Sequence, residues 1–480
     1  MLRTHTRFVT TRRTGVGVHR YNFSLWRGGA PSTHDLAARL KDSRRYEGQI
    51  EHLHQKFALS RRLFTLRQDA VSLAAMVQDR RRLARAIAAS VADGSYVSLP
   101  ARVNNIVVAG KERRVFCYRL TDVVVHGALA AILAEAAEPH LSPRVYSYRK
   151  GVSWWTAVSD FARFLRAHRQ ARPDPGVRGL YVLRRDVSAY ADSIPMAAAS
   201  PIWEIIRERL ASQAPASLDP DHWSLIERVV RPEFFAQEGR GHVSALTGVA
   251  TGQPIACVLF NLYLTDLDRA MEQISGGFYA RYSDDILFAH PDAAVAHEAA
   301  ATMTRILRGL GLAFKPSKEF DRFLSRPGRP YQRWPDAKGT SAITFLGMRV
   351  SADGTVSITS EKLRALVDDL ERRARTACGA LGTADLEARG TLVCDVLNQC
   401  LFRDWRHEGT DGTAALLRCA VTDREQLAQF DYRLARLVVR VVTGDAGVRA
   451  FRLVPYRKVR EEWGLRSLLH SRNGWKSASA

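Results

Sequence analysis

The stretch "FYARYSDDILFAH", residues 278 to 290, constrains this chain more than any other. Two adjacent carboxylates, Asp284 and Asp285, stand between runs with the aromatic and branched content of strands, in a chain carrying 71 Lys and Arg against 49 Asp and Glu. The pattern predicts a β-hairpin with both acids at its tip. Asp-Asp is a poor two-residue turn, because it offers neither Gly nor Asn for the positive φ that such turns demand. Like charges side by side among apolar neighbours also repel, and burial penalises both. Either the tip is an ordinary solvated turn or a cation belongs beside it.

The rest of the composition bears on which. A chain of 480 residues with 46% hydrophobic content has room for two or three domains with ample core. A formal charge of +22 and a pI near 10.2 are unlike an ordinary metabolic enzyme. Such a field attracts polyanions, nucleic acid first, the alternative being a basic surface with no partner. No unbroken apolar run approaches the roughly 18 residues of a membrane span, so no membrane partner is expected. Cys117, Cys257, Cys378, Cys394, Cys400 and Cys419 lack metal-site spacing and stand mostly in apolar text, which predicts reduced, buried thiols of a cytoplasmic protein and no zinc site. The first 34 residues hold six Arg and no acid, as transit peptides do, but the whole chain is Arg-rich.

Along the chain, residues 1 to 34 read as irregular and 35 to 92 as helical, stopping at Gly94. "NNIVVAG" and "RRVFCYRL" read as a hairpin, and "DVVVHGALAAILAEAAE" and the end of "VYSYRKGVSWWTAVSDFARFLRAH" as helices. "GLYVLRRDVSAY" is a strand ending in an acid, Asp186. "GVATGQPIACVLFNLYLTDLDRAMEQI" is a glycine-punctuated loop feeding one long helix from Pro254. After the hairpin and a helix near 292 to 310, residues 321 to 340 read as a Pro- and Arg-rich loop, "AITFLGMRVSADGTVSI" as a hairpin turning at "ADG", and the remainder as helical. Leu363, Leu366, Val367 and Leu370 form one apolar stripe there.

A strand end and a hairpin in one antiparallel sheet can bring Asp186 beside Asp284 and Asp285. Three converging carboxylates suit two Mg²⁺ ions about 3.5–4 Å apart, with Mn²⁺ as a substitute. In this order the segments resemble the reverse transcriptases of retrons, group II introns and bacterial defence systems, over about residues 96 to 360. "RRDVSAYADSIP" is similar to the family's first catalytic strand, which implies Asp186 and the Val187 backbone as metal ligands. "YSDD" is similar to its Y-x-D-D hairpin. "GVATGQPIACVLFNLYL" resembles the loop and helix under the templating pair, assigning Thr251, Gly252 and Gln253 to the nucleotide, although those residues can equally just shape the loop. "GLAFKPSKEF" resembles the segment that sets a lysine, here Lys318, near the triphosphate; a surface lysine is the alternative. "FLG" (Phe345, Leu346, Gly347) resembles the primer-grip hairpin. Upstream, "AGKERRVFCYRL" resembles the fingers segment whose Lys and Arg, here Lys111 and Arg114, hold the triphosphate; both could instead solubilise a turn. "YSYRKGVSWW" would set Arg149 toward template or triphosphate, with Trp154 and Trp155 read as core.

Departures matter as well. Ala250 and Thr251 stand where the family commonly has Pro-Gln, and "TDVVV" keeps Asp122 without the Arg that usually follows. Ala191 stands where these enzymes generally carry the Phe or Tyr that excludes a ribose 2′-hydroxyl. Tyr190, one place earlier, would point to the opposite face of an ideal strand.

The resemblance implies an α+β right-hand polymerase: a basic helical extension over 1–95, fingers and an antiparallel-sheet palm over 96–360, and an α-helical thumb with a basic tail over 361–480. It implies RNA-directed DNA synthesis from nucleoside triphosphates, with an RNA template and a DNA product. With no recognisable endonuclease or zinc module, a stand-alone bacterial enzyme of antiphage defence, serving a dedicated noncoding RNA, is the expected setting. An oligomer or partner protein is compatible with it. Two alternatives stay open: an untemplated or protein-primed nucleotide polymerase, and a non-catalytic RNA-binding protein on a polymerase scaffold.

Overall fold

The computed structural model describes residues 36–57, 72–108, 111–172, 179–211, 220–235, 241–325, 338–380, 385–402, 412–445 and 450–475. Residues 1 to 34 and the Ala109–Gly110 part of the first hairpin turn, for which sequence expectations were drawn, lie outside that set. Of the expected helical N-terminal stretch, residues 58–71 lie outside the described set, and the described residues form the helices Leu36–Lys41, Ser43–Phe57, Leu73–Gln78 and Arg80–Ala92. Gly94, at φ +75°, takes the left-handed conformation just past the last of them.

Strands β1 (Arg102–Val108) and β2 (Lys111–Cys117) pair as an antiparallel hairpin. Strand β3 (Leu180–Asp186) is the centre of the main sheet, and β4 (Glu233–Phe235) and β5 (His242–Ser244) form a small separate hairpin. Strands β6 (Phe278–Tyr282), β7 (Asp285–His290), β8 (Phe320–Leu324) and β9 (Lys338–Thr340) complete the main sheet in the order β6-β7-β3-β8-β9, antiparallel except for β8 with β9. Residues 321–324 were expected in a loop. Phe323 and Leu324 instead pack into the two cores while their backbone pairs with β3. Strands β10 (Ala342–Phe345), β11 (Met348–Ser351) and β12 (Val356–Ile358) form a second antiparallel sheet, where one hairpin was expected. The extra turn is Leu346–Gly347, both at positive φ (+50° and +74°).

The main sheet is buried on both faces, so its strands read as continuous apolar runs rather than alternating ones. Tyr181, Leu183, Tyr279, Ile286 and Phe288 enter one core with the N-terminal helices and the helices Leu120–Ala137, Pro254–Leu262 and Ala293–Gly309. Leu180, Val182, Ala280, Leu287 and Ala289 enter the other, with Trp154–Gln170, the three-stranded sheet and the C-terminal helices from Ser360 onward. Leu363, Leu366 and Leu370 of the expected stripe are buried there, and Val367 packs at its edge. Residues 120–140 are long and apolar enough to cross a membrane, interrupted by Asp122, His126 and Glu135 so that no unbroken run reveals it; 78% of its most apolar 18-residue stretch is buried. The six cysteines are free thiols, but only Cys257 and Cys394 are buried.

The long helix expected from Pro254 is two, Pro254–Leu262 and Thr265–Glu272. Leu264 leaves helical geometry (φ −106°, ψ 17°), and the Thr265 hydroxyl donates to the Leu262 carbonyl at 2.7 Å. The carbonyls orphaned at the break are taken by Arg281 of β6, whose fully buried guanidinium donates to Phe260 and Asn261 (both 3.1 Å), to the Ser283 carbonyl (3.2 Å) and to both Asp268 oxygens (2.7 and 2.6 Å). Five N–H groups meet five acceptors. Asp268→Ala leaves that cation buried without its counter-ion and should cost about 3–5 kcal/mol, read as a fall in the urea midpoint. The paired Arg281→Met, Asp268→Leu variant should recover little of it, because the Phe260, Asn261 and Ser283 carbonyls then lose their donors, and full recovery would show that charge pairing is all the site needs.

Candidate functional site

In the hairpin of β6 and β7, Tyr282 pairs with Asp285, so the two-residue turn is Ser283–Asp284 and Asp285 opens β7. The expectation that both acids sit at the tip is corrected by one residue. Ser283 supplies the positive φ (+58°) that Asp-Asp would have had to supply. It is held there because its carbonyl meets Arg281 and its N–H donates to the Ser147 hydroxyl at 2.9 Å. Ser147 in turn donates to Asn261 Oδ1 at 2.8 Å, and the Asn261 amide donates back to the Ser147 carbonyl at 2.7 Å.

Asp186, the last residue of β3, lies directly opposite Asp285 in the β3/β7 register. The Val187 N–H donates to the Asp284 carbonyl at 3.2 Å, which closes the arrangement. Backbone pairing alone thus brings the three aspartates to one end of the sheet. Burial first, then the charges of Asp285 and Asp186, push the Asp284 carboxyl up to about 6. Cations already stand against the other two. Lys318 forms an ion pair with Asp186, and Arg184 Nη2 lies 3.2 Å from Asp285 Oδ1. Among the described residues no three His, Cys, Asp or Glu side chains form a ready-made metal cage. The donor set is nonetheless all carboxylate, the chemistry hard divalent ions prefer, and the charges of Asp285 and Asp186 add to burial in raising Asp284. An entering ion would compete with Lys318 at Asp186, while Arg184 engages only Oδ1 of Asp285 and leaves Oδ2 to an ion.

A second group gathers five residues beyond Asp186. Ala189 is left-handed (φ +44°), after which Tyr190–Ser193 forms a single helical turn rather than more strand. The face-alternation expected for Tyr190 and Ala191 therefore does not apply. Tyr190 is buried, its ring 5.1 Å from that of Phe260 and its hydroxyl donating to the Phe260 carbonyl at 2.8 Å. Burial raises this phenol well above its ordinary value. It is not available to a nucleotide. Ala191 is partly buried, and its carbonyl accepts the Val249 N–H at 2.8 Å.

The loop that follows, with Thr251, Gly252 and Gln253, is sewn to β2. The Phe116 N–H donates to the Thr251 carbonyl (3.2 Å), and Gln253 Nε2 donates to the Phe116 carbonyl (3.1 Å) while its buried Oε1 has no hydrogen-bond partner. Gly252 (φ +98°) passes so close to Val115 that a Cβ would stand 3.1 Å from it. Arg114 of β2 reaches Asp192 at 3.5 Å and lies over the Phe116 ring, and Lys111 begins the same strand. The β1/β2 hairpin, the loop and the helical turn are therefore one assembly.

Arg149 departs from its expected task. Its donors go to Glu138 (2.6 Å) and to the Ser142 and Val145 carbonyls (2.7 and 3.1 Å), anchoring its own loop rather than facing a ligand. Phe345 is fully buried, and Lys362 Nζ caps the Leu346 carbonyl at 3.4 Å. Sequence reading missed Arg184, Arg281, Asp268 and Ser147. Its available signal was an arginine inside apolar strand text, in "YARYS" and "VLRRD".

The chain belongs to the reverse transcriptase family, for the family profile described as reverse transcriptase (RNA-dependent DNA polymerase) matches residues 108–350. Among solved structures it is similar to telomerase from Candida albicans in complex with a TWJ fragment of telomeric RNA (11% identity, TM-score 0.40, covering 80% of this chain and 67% of that one). It is also similar to apo telomerase from Candida tropicalis truncated from the C-terminal domain (11% identity, TM-score 0.41, 55% and 56%) and to Candida tropicalis telomerase in complex with a TWJ fragment (10% identity, TM-score 0.43, 80% and 65%). No curated protein matches the sequence.

Asp284 gives a test independent of activity. Its carboxyl is raised to about 6 in the fold from an ordinary 3.8. Its favourable contribution is therefore present below pH 3.8 and lost as pH rises through 6. Asp284→Asn should raise Tm at pH 7.5, by about 1–3 kcal/mol of stability, with the gain vanishing near pH 4. A gain independent of pH would show that charge is not the cause.

Proposed function

We propose that this protein is an RNA-directed DNA polymerase that extends a 3′-hydroxyl with nucleoside triphosphates. The observation that carries the reading is the pairing of Asp186 with Asp285, with Asp284 in the adjoining turn, inside the stretch matched to the family. Asp186, Asp284 and Asp285 would hold two Mg²⁺ ions, or Mn²⁺, helped by the Val187 backbone. Bound there, divalent ions supply charge neutralisation for the attacking and leaving oxygens.

The protein's own residues supply the remainder. Lys318 is a cation poised at Asp186, able to turn to a triphosphate once the carboxylate has another partner. Lys111 and Arg114 bring positive charge to the other side of the nucleotide from β2, the fork of Arg114 suiting phosphate oxygens. Thr251, Gly252 and Gln253 form the floor of that pocket, and Ala191 its wall beside the sugar. Phe345, Leu346 and Gly347 offer a rigid turn to the primer. Residues 1–95, 96–360 and 361–480 serve as extension, fingers with palm, and thumb. The finer setting, a stand-alone cytoplasmic bacterial enzyme using a dedicated noncoding RNA against phage, rests on the resemblance in motifs.

Replacing Asp284 and Asp285 together by Asn should abolish primer extension on an RNA template while the protein stays folded. Mg²⁺ should raise the Tm of the natural protein and not of this variant. Retained synthesis in the variant sinks the assignment. Because Tyr190 is committed to the core and Ala191 leaves room beside the sugar, the enzyme should incorporate ribonucleotides readily, and Ala191→Phe should suppress them. Matched ribo- and deoxyribonucleotide kinetics decide this; strong deoxyribonucleotide preference unchanged by Phe places the discrimination elsewhere.

A further inference from the structure

Arginine is an unexpected letter at the centre of a buried sheet, and Arg184 stands there, two residues before Asp186. Alternation along β3 puts Arg184 on the face of Leu180 and Val182, the face that packs against the three-stranded sheet. From that position its two arms reach different elements. Nη2 lies 3.2 Å from Asp285 Oδ1, and Nη1 donates to the Thr344 carbonyl at 3.1 Å. Thr344 immediately precedes the Phe345–Leu346–Gly347 turn.

The two sheets share no ladder, since β9 ends at Thr340 and β10 starts at Ala342 in a separate sheet. Beyond the one-residue backbone link at Ser341, whose carbonyl accepts the Ala352 N–H at 2.9 Å, how the second sits on the first is left to side chains. At its far end Arg166 and Arg169 donate to the Gly354 and Ala352 carbonyls at 2.7 and 3.1 Å. At the near end stands Arg184. The turn itself is stiff, with Phe345 buried, two left-handed residues, and Lys362 filling the space where a Cβ on Gly347 would go.

We propose that Arg184 is a positioning residue that ties this turn to Asp285, so that a nucleic-acid 3′ end laid on the turn is registered against the carboxylates; the inference rests on the polymerase reading above. A counter-ion for Asp285 could have been a lysine. Only a planar fork holds a carboxylate and a backbone carbonyl of another element at a set separation. The side chain is 30% exposed; its bond to Asp285 is partly buried and its bond to Thr344 is exposed.

The test compares the full-length protein with Arg184→Gln and Arg184→Lys. Amide hydrogen exchange at residues 344–348 should quicken about tenfold in the Gln variant, the scale of a lost charge-assisted bond, and less in the Lys variant, with β3 and β7 unchanged. On a recessed RNA–DNA duplex the Gln variant should raise KM for the duplex about tenfold and leave KM for the nucleotide within about twofold, at unaltered Tm. Unchanged exchange overturns the tether. Faster exchange with an unchanged duplex KM overturns the registry role. If the natural protein extends no primer, the polymerase reading fails and the registry role with it, while exchange still decides whether Arg184 holds the turn.

Discussion

The buried contact between Arg281 and Asp268 is the point on which the arrangement depends. Neither side chain is exposed to solvent, and the guanidinium also holds the last carbonyls of one helix and the Ser283 carbonyl of the hairpin turn. A buried ion pair is weak evidence of stability, because desolvation offsets most of the attraction. Its value here is geometric. The break at Leu264 leaves carbonyls that need donors, and the turn needs a serine kept at positive φ. One planar cation answers both needs, and so fixes where Asp284 and Asp285 stand relative to the helix beneath them. Tyr279 and Tyr190 add hydroxyls to the same cluster, on Asp268 and Phe260.

Around that fixed point the electrostatics are arranged in opposition. Three acids meet at the end of β3 and β7 in a chain of charge +22. Lys318 and Arg184 hold two of them, and the third is pushed toward neutrality by burial and by its neighbours. The side chains that quiet the site are bonded on one side only to the acids. Lys318 is partly exposed, and Arg184 is bonded onward to Thr344. Under the polymerase reading proposed above, Lys318 can exchange Asp186 for a phosphate, while Arg184, bonded at both ends, stays in place.

Much of this was legible because hydrophobic period and chain order survive without coordinates. "GLYVLRRD" is a strand since nothing else suits so short an apolar run ending in an acid, and "FYARYSDDILFAH" is a hairpin in any fold. The Gly94 stop and the Leu363, Leu366, Leu370 stripe are local facts of helix geometry. Residues 321–324 defeat a local reading for an equally physical reason. Pro, Gly and Arg dominate the text after them, and only pairing with β3 reveals Phe320–Leu324 as a strand. The split at Leu264 was hidden too, since a good helical sequence runs through it and the break is stabilised by a side chain from another element.

By itself the sequence determined the family, the order of segments and the identity of the three acids, because motifs and periodicities are local properties of the chain. Tertiary structure alone decided the one-residue shift that puts Ser283 rather than Asp285 in the turn, since register depends on what Arg281 and Ser147 hold. It decided that Tyr190 is sealed on Phe260, because a left-handed Ala189 ends the strand's alternation. It also decided that Arg149 braces its own loop and that Arg184 joins two sheets. An arginine's letter carries its charge, but which acceptors lie within reach of its five N–H groups is settled only when distant segments fold together.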